Sequence, residues 1–446
     1  VDWIKQTDDI LSQCSQSHSQ ITTLPDNDVE ILMNRFLDIL QFKSTLENVS
    51  IVANAVSNLL MFVENVSRKE EEILSIIQQL IHSFVKCYKD THQKESDTLF
   101  QQINEIILAC TKDKNMQNQL LNGLAGTILP IITSASMHIW IRRNFLKLLN
   151  GLLEGSDRRE RHKLWTEYYE YVNQLADYIY SCGDYDIQTY LVETLNRFTS
   201  KTDRNEIATS WFPNNAIVQS NFANIKDFEC DCRIFLNSFN NALGENQLVY
   251  SLAAQSCHIG KNQVFKPPDL KYSQFWIDFN LGTGNLIIYC VKTPQSKEMW
   301  DTVILNSGDV TSVKMDTSPS GETNLNLSLS YHVSELFGSN PSSVTYTGNS
   351  VNIVFGTQLK IDLQRILKIM YSDKLELKSR VRCSVAAMPC KVRYKSKTSE
   401  EKNDATDKIS LLPSRTSAVV NKASKLRDTK TNDEEKKTAY ANPTLQ

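Results

Sequence analysis

Apolar residues recur at helical spacing through the first half of the chain and in alternating or continuous short runs through much of the second. Val29, Leu32, Met33, Phe36, Ile39 and Leu40 follow the i, i+3, i+4, i+7 rule after a Pro25-Asp26 start signal, which predicts one amphipathic helix. The same reading opens further helices near residues 47, 69, 95, 115, 139, 159, 186 and 226. Alternate starts, such as 26 to 69 and 69 to 115, recur near the roughly 40 to 47 residues over which armadillo and HEAT units stack to bury a continuous core. No residue-level consensus repeats, so the spacing predicts a degenerate all-α armadillo/HEAT-like solenoid.

From about Leu248 the pattern changes, and the runs Phe275 to Phe279, Leu286 to Val291, Thr302 to Leu305, Leu325 to Tyr331 and Val351 to Phe355 predict strands. Between two of them, Asn280-Leu281-Gly282-Thr283-Gly284 carries the glycine that a tight or bulged hairpin needs. A last run, Leu359 to Tyr371, returns to helical spacing. Antiparallel strands closed by a C-terminal helix are the pattern of a pleckstrin-homology-like β-barrel. After about residue 396, Lys, Glu, Asp, Thr and Ser dominate with little periodicity, so that segment reads as disordered. The expected fold class is thus α+β multidomain: a solenoid over 1–243, a β domain over 244–390 and a disordered basic tail over 391–446.

Glycine placement sharpens that boundary, since five of the 14 glycines lie in residues 1 to 243 and nine in the following stretch to 356. Glycine weakens helices and supplies positive φ at turns, so helices give way to strands there. Charge shifts with it: Lys and Arg number 22 against 31 acids in residues 1 to 243, making an acidic helical block, and the tail after 390 is basic. The 10 cysteines lack the dense paired spacing of a disulfide scaffold, which points to a reducing compartment and makes the Asn48, Asn65 and Asn326 sequons chance matches. The chain opens at Val1 with no signal-peptide pattern and ends in a polar tail, so it reads as an unsecreted fragment of something longer.

Candidate chemistry is sparse. Neither GxGxxG nor GxxxxGK[ST] occurs, and Gly282-Thr283-Gly284 runs into a strand, so no phosphate loop is expected. Cys230-x-Cys232 is too isolated to complete a metal site, and in its helix Phe228, Cys232, Phe235 and Phe239 share one inward face. Cys257-His258 would point to opposite faces of a strand, and no GxSxG elbow occurs. No catalytic residue, metal or cofactor is therefore expected, and the chain reads as a non-enzyme. Arg158, Arg159, Arg161 and Lys163 cluster, but the intervening Asp157 and Glu160 point to a salt-bridged helix face. Residues 360 to 397 hold 11 basic against three acidic residues. Arg365, Lys368, Lys374, Lys378, Arg380, Arg382, Lys391, Arg393, Lys395 and Lys397 form a stripe suited to phosphate backbone or nuclear import, against the plainer reading of a solvated face.

Three stretches carry a family likeness: CGDYDIQTYLVETLNRFT at 182 to 199, IKDFECDCRIFLNSFNNALG at 225 to 244 and FWIDFNLGTGNLIIYCV at 275 to 291. Together they resemble the synaptonemal complex protein 2 family, through Gly183, Asp184, Trp211, Phe228, Cys232, Arg233, Phe235, Phe275, Trp276, Asp278, Phe279 and Gly282. Gly183 is placed to close one helix and Asp184 to cap the next, while the nearly unbroken apolar run Phe275 to Phe279 points to burial on both faces. The resemblance implies an armadillo-repeat-like domain followed by a pleckstrin-homology-like domain similar to the middle domain of the histone chaperone Spt16. It also implies a non-enzymatic scaffold of the nuclear meiotic chromosome axis, a lateral-element component docking axis, centromere or chromatin proteins. Family members partner synaptonemal complex protein 3 through a C-terminal coiled coil, and residues 391–446 lack the apolar heptads that coil needs. Two other readings stand beside this one: a histone- or DNA-contacting module using the 360–397 stripe, and a phosphoinositide-binding solenoid adaptor. The last ranks lowest, and no membrane partner is expected.

Overall fold

The computed structural model describes residues 45–60, 70–88, 93–268, 273–294, 301–337 and 346–377, with scattered helical positions between 32 and 41. The expected tail, three of the cysteines and the stripe residues Lys378, Arg380, Arg382, Lys391, Arg393, Lys395 and Lys397 lie outside them. The described residues all belong to one compact unit.

Helices fill its first part: α1 Leu46–Leu60, α2 Glu70–Cys87, α3 Gln93–Cys110, α4 Lys114–Thr133, α5 Ile139–Gly155, α6 Arg158–Glu167, α7 Tyr169–Ser181, α8 Tyr185–Phe198, α9 Lys201–Trp211, α10 Ala216–Ala223 and α11 Phe228–Ala242. Polar residues start them where the pattern turns apolar: Asp113, Asp184 and Asn215 each accept a hydrogen bond from a backbone N–H of the first turn, and Ser200 with Asp203 forms a capping box. In α4, Leu120, Leu121, Leu124, Ala125, Ile128, Leu129 and Ile132 are buried, so its apolar residues cover about half of its circumference. Neighbours two apart in sequence pack together, α1 on α3 and α2 on α4, and the series continues through α5 to α8 and α11. One hydrophobic core runs through these helices from Phe36 to Val249.

Three of these helices do not follow from the spacing. The segment after 159 divides at Tyr168, whose backbone leaves helical geometry and splits α6 from α7. Helices α9 and α10 bury only two and three residues, so their faces leave little periodic trace.

A nine-stranded sheet follows: β1 Val249–Ile259, β2 Asn262–Val264, β3 Phe275–Asn280, β4 Asn285–Cys290, β5 Asp301–Asn306, β6 Val310–Thr317, β7 Thr323–Leu329, β8 Ser350–Phe355 and β9 Leu375–Leu377. Helix α12, Lys360–Tyr371, covers its core with Leu363, Ile366, Leu367 and Tyr371. Strands β3 and β4 are a hairpin in which Asn280 faces Asn285 and Gly284 takes φ +64°. The strand order is β5-β4-β3-β1-β8-β7-β6-β9, with β2 beside β1.

The closed barrel expected from the strand pattern is not formed. Strands β5 and β6 are consecutive yet sit toward opposite ends of the ladder, and closure would need β6 to pair with β5. Instead β9 occupies that edge of β6 in parallel, Val313 opposite Leu375 and Met315 opposite Leu377. The Lys374 carbonyl accepts from Val313 N at 2.9 Å, and Lys374 Nζ reaches the Ser307 carbonyl at 2.9 Å. A strand has two edges; β7 and β9 use both edges of β6. The sheet is mixed and open.

Candidate functional site

The quoted motif residues converge where the last helices meet the sheet. Gly183 follows α7 at φ +59°, a conformation glycine adopts at little cost, and turns the chain into α8. Its carbonyl accepts from Gly282 N at 2.9 Å. A Cβ on Gly183 would lie 2.6 Å from the Gly282 Cα, and one on Gly282 would lie 2.5 Å from the Cys182 carbonyl oxygen, so main chain meets main chain with no room for a methyl group. Asp184 caps α8 by accepting from Ile187 N at 3.1 Å, and its other oxygen accepts from Thr283 Oγ1 at 2.7 Å. Tyr185 N donates to Asn280 Oδ1 at 2.9 Å. The hairpin loop 281–284 therefore serves as part of the cap of a helix about a hundred residues earlier. Burial, then the nearby Asp186 charge, raises the Asp184 carboxyl above its ordinary range, against the lowering effect of the Thr283 and Ile187 hydrogen bonds.

Beside this contact, Arg233 of α11 forms a bidentate pair with Asp278 of β3, Nη1 to Oδ1 at 2.7 Å and Nη2 to Oδ2 at 3.1 Å. Ser251 Oγ adds a donor to the same Oδ1 at 2.5 Å. The guanidinium lies 3.6 Å over the Tyr185 ring, and the Trp276 ring centroid is 5.9 Å away. The Asp278 side chain is 0% exposed and the Arg233 side chain 11%, so both charges have left water and depend on each other. Burial opposes the Arg233 charge, but the Asp278 carboxylate and Tyr185 outweigh it and hold the guanidinium above its usual value. Strand β3 thus works on two faces: Phe275, Ile277 and Phe279 enter the sheet core, while Trp276, Asp278 and Asn280 turn toward the helices.

A second ionic group flanks the first. Asp186 of α8 accepts from Arg143 Nη2 of α5 at 2.9 Å and from the Tyr289 hydroxyl of β4. Burial, then the Asp186 charge, pushes the Tyr289 phenol well above its ordinary value. Lys147, one turn along α5, rests its ammonium 5.3 Å over the Tyr190 ring. Burial, helped by the Arg143 charge, lowers Lys147 to about 8, with Asp186 opposing. Nothing in the spacing singles out Arg143, Tyr185, Asp186, Ser251 or Tyr289 as site residues, and it marks Asn280 only as the start of a hairpin. The signal was there in Asp278 and Asn280, polar residues at alternate positions of an otherwise apolar strand.

The other singled-out residues sit elsewhere. Trp211 is buried, donates Nε1 to Asn173 Oδ1 at 2.8 Å and stacks on Trp165. Phe235 packs on Phe212 and Phe239 in an aromatic cluster, Cys232 is buried beside them, and Phe228 is half-buried against the helical core. Burial raises the Cys232 thiol well above its ordinary value. Cys257 is fully buried and His258 half-buried, on adjacent positions of β1. Among the described residues, no group of three His, Cys, Asp or Glu side chains stands ready to hold a metal. Arg365 and Lys368 are exposed on α12, with Arg365 3.8 Å from Asp362, whereas Lys374 is spent on the Ser307 carbonyl.

At α6 the two acids also reach another helix: Asp157 takes Lys114 at 2.6 Å and Asn118 at 3.0 Å, and Glu160 accepts from Asn122 at 2.8 Å. Arg161 turns inward and donates to the Leu153 and Ser156 carbonyls at the end of α5. This packing draws the acids toward α4 and Arg161 toward α5.

The arrangement defines a class: a helical array and an open mixed sheet fastened by main-chain contact and buried ion pairs, with the polar groups of the junction turned on one another. The fold matches a solved structure named synaptonemal complex protein at TM-score 0.60 and 22% identity, over 78% of this chain and 87% of that one. Residues 249–371 match the synaptonemal complex 2 Spt16M-like domain, a stretch that holds β1 to β8 and α12. The chain is 33% identical to mouse synaptonemal complex protein 2 over 191 residues, 42% of this chain and 12% of that protein. It is 35% identical to mouse synaptonemal complex protein 2-like over 191 residues, 42% of this chain and 22% of that protein. Against the frog Xenopus laevis 2-like protein it is 26% identical over 303 residues, 65% of this chain and 30% of the relative. The likeness to the synaptonemal complex protein 2 family drawn from the motif residues is thus present, and the chain spans under a third of the length of these relatives.

Proposed function

We propose that this chain is a non-enzymatic scaffold module of the meiotic chromosome axis, a lateral-element component of the synaptonemal complex that docks axis, centromere or chromatin proteins. On this reading residues 1–243 act as an armadillo/HEAT-like solenoid, 244–390 as a pleckstrin-homology-like, Spt16-middle-like domain and 391–446 as a basic tail. The observation that carries it is the Arg233–Asp278 pair with Tyr185 and Ser251 around it: charged groups committed to each other between helices and sheet hold a rigid body and leave its outer surfaces for partners. Its place is the nucleus, on chromosome axes, and assembly with synaptonemal complex protein 3 falls to a C-terminal coiled-coil segment absent from this chain. A tagged chain expressed in germ cells should line the axes at pachytene and co-purify axis or centromere proteins. Diffuse staining, with only cytoplasmic vesicle proteins recovered, would overturn the proposal.

A second reading, contact with histones or DNA, draws support from Arg365 and Lys368, which project from α12 into solvent with Ile361 and Ile369 exposed near them. Binding through phosphates should fall steeply with salt and with reversal of these two charges.

A further inference from the structure

Helix α6 turns a strip of basic side chains to solvent. Arg158, Arg159, His162 and Lys163 are exposed, and among the described residues no side-chain hydrogen bond or ion pair engages them. The cause is the packing of α6 on α4. Its acids Asp157 and Glu160 are turned to Lys114, Asn118 and Asn122, and Asp157 leaves the helix start without a side-chain cap. The two acids thus lean toward α4, while Arg158, Arg159 and Lys163 stand free on the solvent side.

We propose that the outer face of α6 is a docking strip for a short acidic segment of a partner protein, whose carboxylates pair with Arg158, Arg159 and Lys163. The strip rises about 7.5 Å from residue 158 to 163 at roughly 1.5 Å per residue, the reach of two or three residues of extended chain at about 3.3 Å each. Arginine forks suit carboxylate geometry. A nucleic-acid duplex fits less well: the exposed Glu167 and Glu170 follow on the next turns, and the helical block holds 22 basic against 31 acidic residues, a field that repels a long polyanion. A short segment stays within about one Debye length of the strip. The proposal rests on the scaffold reading and names the chemistry of one partner surface.

The test uses the full chain and a fluorescein-labelled ten-residue Asp/Glu peptide, followed by anisotropy at about 50 mM and about 300 mM salt. Binding should appear at low salt and weaken at high salt. The variant R158E/R159E/K163E, checked for retained circular dichroism, should bind about tenfold or more weakly, since three exposed pairs turn from attraction to repulsion. R158K/R159K should stay within about threefold, and K261E, in the turn after β1, should bind as the parent does. No binding at low salt, unchanged binding by the triple variant, or displacement of the peptide by an equimolar DNA duplex would overturn the strip. Germ-cell axis localisation of the triple variant separates the two ideas: if it persists while peptide binding fails, only the strip is lost, whereas parent protein that never reaches the axis sinks the scaffold reading.

Discussion

The buried pair between α11 and β3 invites a double-mutant cycle. In Arg233→Met the Asp278 carboxylate keeps only Ser251 as a side-chain donor at a site that is 0% exposed, and in Asp278→Leu the guanidinium keeps aromatic faces and the Ser251 oxygen at 3.2 Å. Breaking such a pair from one side typically costs about 3 to 5 kcal/mol, because the orphaned charge stays out of water. The combined Arg233→Met/Asp278→Leu variant removes both charges and supplies apolar volume, so it should lie within about 1 to 2 kcal/mol of the parent. The coupling energy should thus be several kcal/mol and of a sign that makes the double variant far more stable than the sum of its parts. Urea unfolding followed by tryptophan fluorescence and by circular dichroism measures it; with m near 3 kcal/mol/M, each single change should lower the midpoint by about 1 M or more. The two probes should separate in the single variants as sheet and helices come apart. If each single variant costs under about 1 kcal/mol, or the two add in the double, the pair does not fasten the junction and the reasoning fails.

Three further outcomes follow from the same region. Gly282→Ala puts a methyl group 2.5 Å from the Cys182 carbonyl oxygen, with main chain on both sides, so it should destabilise by about 2 kcal/mol or more in urea unfolding, whereas Gly308→Ala, with open space around its Cβ position, should change little. Asp184→Ala should cost about 1 to 2 kcal/mol through the lost cap, while Asp184→Asn keeps an acceptor for Ile187 N and removes a buried charge. Because the folded Asp184 carboxyl lies above its unfolded value, its ionisation weakens the fold as pH rises through the folded value; the parent should therefore gain on Asp184→Asn as pH falls, and a fixed gap between them would refute the assignment. Lys147, lowered to about 8 against about 10.4 unfolded, binds fewer protons folded than unfolded between those values, so stability should climb with pH across that window. Lys147→Met should flatten the climb and be about 1 to 3 kcal/mol more stable at pH 7, read from urea midpoints between pH 6 and 10.

The helical half and the strand-rich half were legible because long amphipathic faces and runs such as Phe275 to Phe279 write their burial into the residue pattern. The hairpin at 281–284 and helix α12 were legible for the same reason, through a glycine and a helical repeat of Leu363, Ile366 and Leu367. Strand β9 was not: three residues, Leu375–Leu377, carry too little pattern, yet they decide that the sheet stays open. At the junction the aromatic and glycine positions stood out, but the side-chain partners of Asp278, Asp184 and Asp186 lie 27 to 103 residues away, and single-chain spacing says nothing about pairings of that range. The reach of Asp157 and Glu160 to Asn118 and Asn122 was not legible, because adjacency in sequence carries no signal of which side chains another helix brings near.

The bond from Gly282 N to the Gly183 carbonyl is formed by atoms common to all polypeptides. Side chains around it can drift without touching it, provided neither position acquires a β-carbon. Over the 191 residues in which this chain is 33% identical to a mouse relative, two-thirds of the side chains differ, and a contact made by main chain alone is the kind that such exchange leaves in place.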